Sequence, residues 1–142
     1  MRNFQILDST RMDKDTETLE LFHSKESADQ PHLALRREGI YVTISVSYGP
    51  MEIALRPRYE DLTRTLARLV PVKGLSTTRE VGTSQAFLAM GLTQDQQLVL
   101  RPTIVADATG HFSMNLQVSS AARQTLFDWL KVTPAPGTGP LK

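Results

Sequence analysis

From Ile40 to Ser47 the chain alternates strictly. Ile40, Val42, Ile44 and Val46 share one parity, and Tyr41, Thr43, Ser45 and Ser47 share the other. A period of two built on β-branched residues predicts a strand with one buried and one wet face, and hence an antiparallel sheet. Leu33 and Leu35 alternate with Ala34 and Arg36 before it, and Arg37-Glu38-Gly39 reads as the turn between. After the Gly49-Pro50 turn, Met51, Ile53 and Leu55 alternate with Glu52, Ala54 and Arg56. Pro57 stops that strand and suits the first turn of a helix. Tyr59, Leu62, Leu66 and Leu69 then fall at helical spacing, with Glu60 four residues before Arg64, and Pro71 ends the helix. Leu19 and Leu21 mark a shorter strand upstream, while residues 1–17 favour neither state.

The second half follows the same order. Ala86 to Leu92 predicts a strand, Gln94-Asp95-Gln96 a turn, and Leu98 to Ala106 a strand that Pro102 demotes to an edge or a bulge. Phe112, Met114, Leu116 and Val118 form a third strand. Ser119 or Ser120 caps a helix that turns Leu126, Phe127 and Leu130 inward, with Trp129 off the stripe. Residues 49–69 and 110–130 match at an offset of 61: Gly49 with Gly110, Met51 with Phe112, Ile53 with Met114, Leu55 with Leu116, Leu66 with Phe127, Leu69 with Leu130. The expectation is an α+β fold, antiparallel sheets with two helices, made by internal duplication of a β-β-β-α unit. Residues 1–132 form one domain with pseudo-repeats at about 18–71 and 85–131. Residues 72–84 lack periodicity and connect the copies. Residues 133–142 hold three prolines and two glycines and read as a disordered tail.

Composition narrows the function classes. At 142 residues, 40% hydrophobic and 22% charged, the chain is of ordinary single-domain size and soluble character. With no cysteine there is no disulfide, thiol catalysis or iron–sulfur ligation. No apolar run approaches the ~20 residues needed to span a bilayer, and the first residues lack the apolar centre of a signal peptide. A cytoplasmic protein that does not engage membranes is expected. The net charge is only +1, but it is unevenly spread: Arg36 to Arg79 carries eight basic residues against four acidic ones.

No strong catalytic motif stands out. There is no phosphate-binding glycine loop and no nucleophile elbow. His23, His32 and His111 lack metal-ligand spacing, so neither metal nor cofactor is expected. The pair Glu60-Asp61 suits a helix N-terminus, where the dipole favours carboxylates. Met51, Met90 and Met114 read as core filler. What remains is the wet face of the best strand. Arg36 and Arg56 lie on the polar parity of the flanking strands, and Arg37, Tyr48 and Arg58 lie near the turns. Arginines beside hydroxyls and aromatic rings suit single-stranded nucleic acid, each base stacking for ~1–3 kcal/mol. A two-sided sheet also needs a polar outer face with no ligand at all, and Thr, Ser and Tyr are good strand formers there.

The segments Gly39-Ile40-Tyr41-Val42-Thr43-Ile44-Ser45-Val46 and Met51-Glu52-Ile53-Ala54-Leu55-Arg56-Pro57, followed by Tyr59-Glu60-Asp61-Leu62, resemble the strand-strand-strand-helix module of single-strand-binding transcriptional coactivators and the Whirly family. The likeness spans about 80 residues. It lacks the Lys-Gly-Lys core of Whirly proteins and the lysine run of the coactivators. The resemblance implies sheets outside, helices between or behind them, and binding of single-stranded DNA or RNA as an oligomer. The resulting expectation is a non-enzymatic, regulatory single-stranded nucleic-acid-binding protein. Arg36, Arg37, Arg56 and Arg58 would meet phosphates, and Tyr41 and Tyr48 would stack beside Thr43. Lys73 and Arg79 would extend the basic path. The alternative is a protein–protein interaction or assembly module on the same scaffold, using a strand edge or the wet face to meet a protein partner or a second copy.

Overall fold

Alternating apolar residues build two sheets, and both turn their apolar faces towards two helices. The computed structural model describes residues 4–25, 30–72 and 79–132. One sheet is a five-stranded antiparallel meander of β2 (Ser9–Asp13), β3 (Thr18–Phe22), β4 (His32–Glu38), β5 (Tyr41–Tyr48) and β6 (Met51–Leu55), in that order. The other has seven strands. Its main path runs β1 (Gln5–Leu7), β12 (Leu116–Val118), β10 (Leu98–Asp107), β9 (Ala86–Thr93), β7 (Pro71–Val72). In addition, β11 (Gly110–Ser113) pairs with β10, and β8 (Arg79–Gly82) pairs with β9. Helix α1 (Tyr59–Ala67) follows β6, and α2 (Ser120–Leu130) follows β12.

The α+β class and both helices are as expected, but the sheets are not purely antiparallel. β1 runs parallel to β12, and β7 runs parallel to β9. Residues 5–13, undecided in sequence, thus supply one strand to each sheet, and the step at Asp8 carries the chain between them. Asp8 fixes that step. One carboxylate oxygen accepts from the Ser24 N–H at 2.7 Å, and the other from the Ser24 hydroxyl at 3.1 Å. Burial raises its pKa, but these bonds outweigh that and hold it below the ordinary value.

Several expectations shift by a few residues. β4 runs through Glu38, and the turn is Gly39-Ile40, with Gly39 at φ +63°, a conformation costly for any side chain with a Cβ. Ile40 therefore stands 58% exposed in the turn instead of joining Val42 and Ile44 in the core. Pro57 does not enter α1; its carbonyl accepts the Val42 N–H at 2.9 Å and prolongs the β5–β6 ladder. The helix ends at Ala67, yet Leu69 beyond it is still buried. Arg64 reaches Asp61 at 3.8 Å rather than Glu60. The connector expected at residues 72–84 contributes the end of β7 and the whole of β8; residues 73–78 lie outside the described residues, as do 133–142.

Pro102 sits inside β10, not at an edge. β10 pairs with β12 over Leu98–Leu100 and with β11 from Thr103 onward. The Pro102 carbonyl accepts from Met114 N at 3.2 Å, so its missing N–H also faces the short break between β11 and β12. The register sets Pro102 opposite Met114, so the bond it cannot donate to the Met114 carbonyl is lost and the ladder is interrupted there. The expected third strand, 112–118, is split at that break, and the irregularity in β10 falls later, between Val105 and Asp107.

Leu19, Leu21, Leu33, Leu35, Ile44 and Val46 of the meander meet Met90, Leu92, Leu98, Leu100, Leu116 and Val118 of the other sheet in one core cluster. The helices add Leu62, Leu66, Leu126, Phe127 and Leu130. Of the positions matched at an offset of 61, Leu55 and Leu116 are both buried at strand ends and Leu66 and Phe127 are both buried in helices, whereas Ile53 lies in β6 but Met114 between strands, and Leu69 lies beyond α1 but Leu130 within α2. Ser119 caps α2, its Oγ accepting from Ala122 N at 3.2 Å. Tyr59, first residue of α1, donates its hydroxyl to the Leu130 carbonyl at the end of α2. Trp129 packs against the core.

Replacing Leu126 by Ala is expected to cost about 3 kcal/mol through the cavity it leaves. Tyr59→Phe is expected to cost about 1 kcal/mol through loss of the helix-to-helix hydrogen bond. Urea unfolding of the three proteins measures both.

Candidate nucleic-acid interface

The register of β4, β5 and β6 decides which side chains share the outer face of the meander. Arg36 lies opposite Thr43, Ala34 opposite Ser45, and His32 opposite Ser47. On the other side Ser45 faces Ala54 and Ser47 faces Glu52. Beyond the end of β6 the same register continues, because Tyr41 bridges to Arg58. Val42 N donates to Pro57 O at 2.9 Å, and Tyr59 N to Ile40 O at 2.7 Å. Arg56 and Arg58 are therefore delivered to the outer face beside Tyr41 and Thr43, and a one-residue slip would turn both away.

At this end of the face three arginines surround one ring and one carboxylate. The Arg56 guanidinium lies over the Tyr41 ring, 4.7 Å from its centroid. Thr43 donates its hydroxyl to Glu38. That bond, with the charges of Arg36 and Arg56, holds the Glu38 carboxyl below its usual range. Arg36, Arg56 and Arg58 are all exposed. With three cations to one carboxylate, the cluster keeps a net positive charge. The middle row, Ala34–Ser45–Ala54, carries only small side chains, so nothing rises above the sheet there. At the far end Phe22 stacks on His32, ring centroids 5.9 Å apart, and Arg11 lies 4.7 Å from the Phe22 centroid.

The other expected site residues lie elsewhere. Arg37 has the parity of the buried residues and stacks on Tyr59, its guanidinium 3.6 Å from the ring centroid. Tyr48 shares that inward parity and closes the β5–β6 hairpin opposite Met51, at the other end of β5 from Tyr41. Arg79 belongs to β8 in the seven-stranded sheet, opposite Met90. Lys73 lies outside the described residues. The structure thus brings together Arg36, Tyr41, Thr43, Arg56 and Arg58, with Glu38 as a member that sequence periodicity had placed in a turn.

His23 and His32 have separate partners. His23 accepts from the Lys25 N–H at 3.0 Å, and His32 Nε2 lies 2.8 Å from Glu20. Among the described residues no three His, Asp or Glu side chains converge. A second polar depression, about 300 Å³, lies on the seven-stranded sheet between Phe87, Arg101, Thr103, His111 and Asn115. Arg101 Nε donates to Asn115 Oδ1 at 2.8 Å. Its lining comes from residues scattered over Glu80–Asn115, and only the cross-strand register unites them. Among the described residues no helix is long and apolar enough to cross a membrane. Comparison with family models, with curated proteins and with solved structures returns no match.

Glu20 predicts an acid-sensitive contact. Burial raises its pKa, but hydrogen bonds from Arg11 and His32 and their charges outweigh it and hold it below the ordinary 4.5. A depressed carboxylate stabilises the fold above its unfolded value, and that contribution is lost as pH falls through the folded one. Melting temperature should therefore drop as pH falls below 4.5, and less steeply in Glu20→Gln. Paired thermal scans of the two proteins test this.

Proposed function

We propose that the protein is a non-enzymatic, cytoplasmic single-stranded nucleic-acid-binding protein, regulatory in role, that uses the outer face of the meander. One observation carries the reading. Arg36 from β4 and Arg56 and Arg58 from the extension of β6 flank Tyr41 of β5, with Arg56 over its ring, at the edge of a flat floor of Ala and Ser. Guanidinium groups suit phosphate oxygens by charge and fork geometry. A strand of DNA or RNA could lay its bases over the small middle row, with Tyr41 as the stacking ring once Arg56 moves to a phosphate. The cation–π contact this gives up is worth only about 0.5–1 kcal/mol at an exposed site, less than a stacked base returns. Arg37, Tyr48, Lys73 and Arg79 are not needed for this mode.

The offset-61 correspondence supports a further part of the reading: the chain arose by duplication of a strand-rich unit closed by a helix, in the manner of Whirly-like proteins. An assembly module is the second reading. The exposed edge of β6 favours it.

Fluorescence anisotropy with a labelled single-stranded oligonucleotide tests the proposal. Affinity should fall steeply with salt. The Arg36→Ala/Arg56→Ala variant should bind at least about tenfold more weakly, as expected for two lost phosphate contacts. Glu38→Gln should bind more tightly, because it removes the one carboxylate facing those arginines. Binding that ignores salt and these substitutions, or no binding at low salt, would refute it.

A further inference from the structure

The bridge of Tyr41 to Arg58 also fixes the direction of every backbone group in β6. Since Val42 N donates to Pro57 O and Tyr59 N to Ile40 O, Tyr41 and Arg58 form a non-hydrogen-bonded pair. Counting back by twos, so do Ser45 with Ala54 and Ser47 with Glu52. The N–H and C=O groups of Glu52, Ala54 and Arg56 hence point away from β5. β6 is the terminal strand of its sheet, and among the described residues none of these N–H groups finds a backbone partner. Glu52, Ala54 and Arg56 are also exposed.

The geometry points to a second copy of this chain as the occupant of that edge, related by a two-fold axis through Ala54. An antiparallel β6–β6 pair centred there sets Ala54 against Ala54, Glu52 against Arg56, and Arg56 against Glu52. Each is a position where outward N–H and C=O groups face their counterparts. Both cross-strand charge pairs are then opposite in sign, on the same outer face. Other registers lose this: centring on Ile53 opposes the inward-pointing backbone groups and sets Glu52 against Ala54.

Met51 gives an independent fit. It has the core-facing parity yet stands 46% exposed. In the Ala54-centred pairing it comes opposite Pro57 of the other copy. A cleft of about 190 Å³ opens onto this edge, between residues 54–57 on one side and Val81, Gly82, Thr83 and Ala86 on the other. Met51 would enter this cleft, which suits a flexible thioether. The two five-stranded meanders would join into one continuous sheet, and an open edge that invites non-specific pairing would be closed. This inference does not depend on nucleic-acid binding.

Sedimentation velocity on the wild-type protein, without nucleic acid, should show a dimer that dissociates on dilution through the micromolar range. Ala54→Pro removes an N–H that β5 does not use, so the fold should persist while the dimer is lost. Arg56→Glu places like charges opposite each other twice and should weaken the dimer by about tenfold. Adding Glu52→Arg to Arg56→Glu should restore it. In this cysteine-free chain, Ala54→Cys should oxidise rapidly to a covalent dimer, because a hydrogen-bonded antiparallel pair holds its Cα atoms about 5.5 Å apart, within disulfide range. A control Met12→Cys should not. A wild-type monomer at all concentrations, or a dimer indifferent to Ala54→Pro and to the charge swap, overturns the inference.

Discussion

The register of β5 with its two neighbours holds the rest of the molecule in place. β5 pairs with β4 over seven residues, His32 to Glu38, and with β6 and its extension as far as Arg58. Because side chains alternate with a period of two, this one alignment sends Val42, Ile44 and Val46 into the core and Tyr41, Thr43 and Ser45 outward. A slip by one residue would place apolar side chains in water at ~1.5–3 kcal/mol each. The core therefore enforces a register whose consequences are read on the opposite face.

Three features on the outside follow from that alignment. It collects Arg36, Arg56 and Arg58 around Tyr41, leaves a floor of Ala34, Ser45 and Ala54, and aims the free backbone groups of β6 outward. The proposed binding face and the proposed dimer edge meet at Arg56, which lies over Tyr41 in one copy and opposite Glu52 of the other in the paired arrangement. Dimerisation would place two such faces on one continuous sheet, doubling the length of basic surface presented to a single strand.

Where burial imposes a period, sequence sufficed. β3 to β6, both helices and the Ser119 cap follow from alternation, helical spacing and turn chemistry, and the cluster of Arg36, Tyr41 and Arg56 follows from parity. The misses arise where partners distant in sequence decide. β1 and β2 are short, and their pairing with β12 and β3 is not encoded in any local pattern. Pro102 does interrupt a ladder, but inside the sheet: the gap falls in its partner, between β11 and β12, while β10 itself runs on. Arg37 and Tyr48 have the wrong parity for the outer face, which their placing near turns, Arg37 in Arg37-Glu38-Gly39 and Tyr48 beside Gly49-Pro50, had concealed. Met51 followed the core parity but sits where the sheet ends, so parity alone did not bury it.

The most direct test of the central claim is a nuclear magnetic resonance titration of the isotope-labelled protein with unlabelled single-stranded DNA. The account predicts shifts centred on Arg36, Tyr41, Thr43, Ser45, Arg56 and Arg58, with the core-facing residues of β5 and the depression around Phe87 and Arg101 undisturbed. Shifts concentrated on the seven-stranded sheet, or none at saturating DNA, would contradict it.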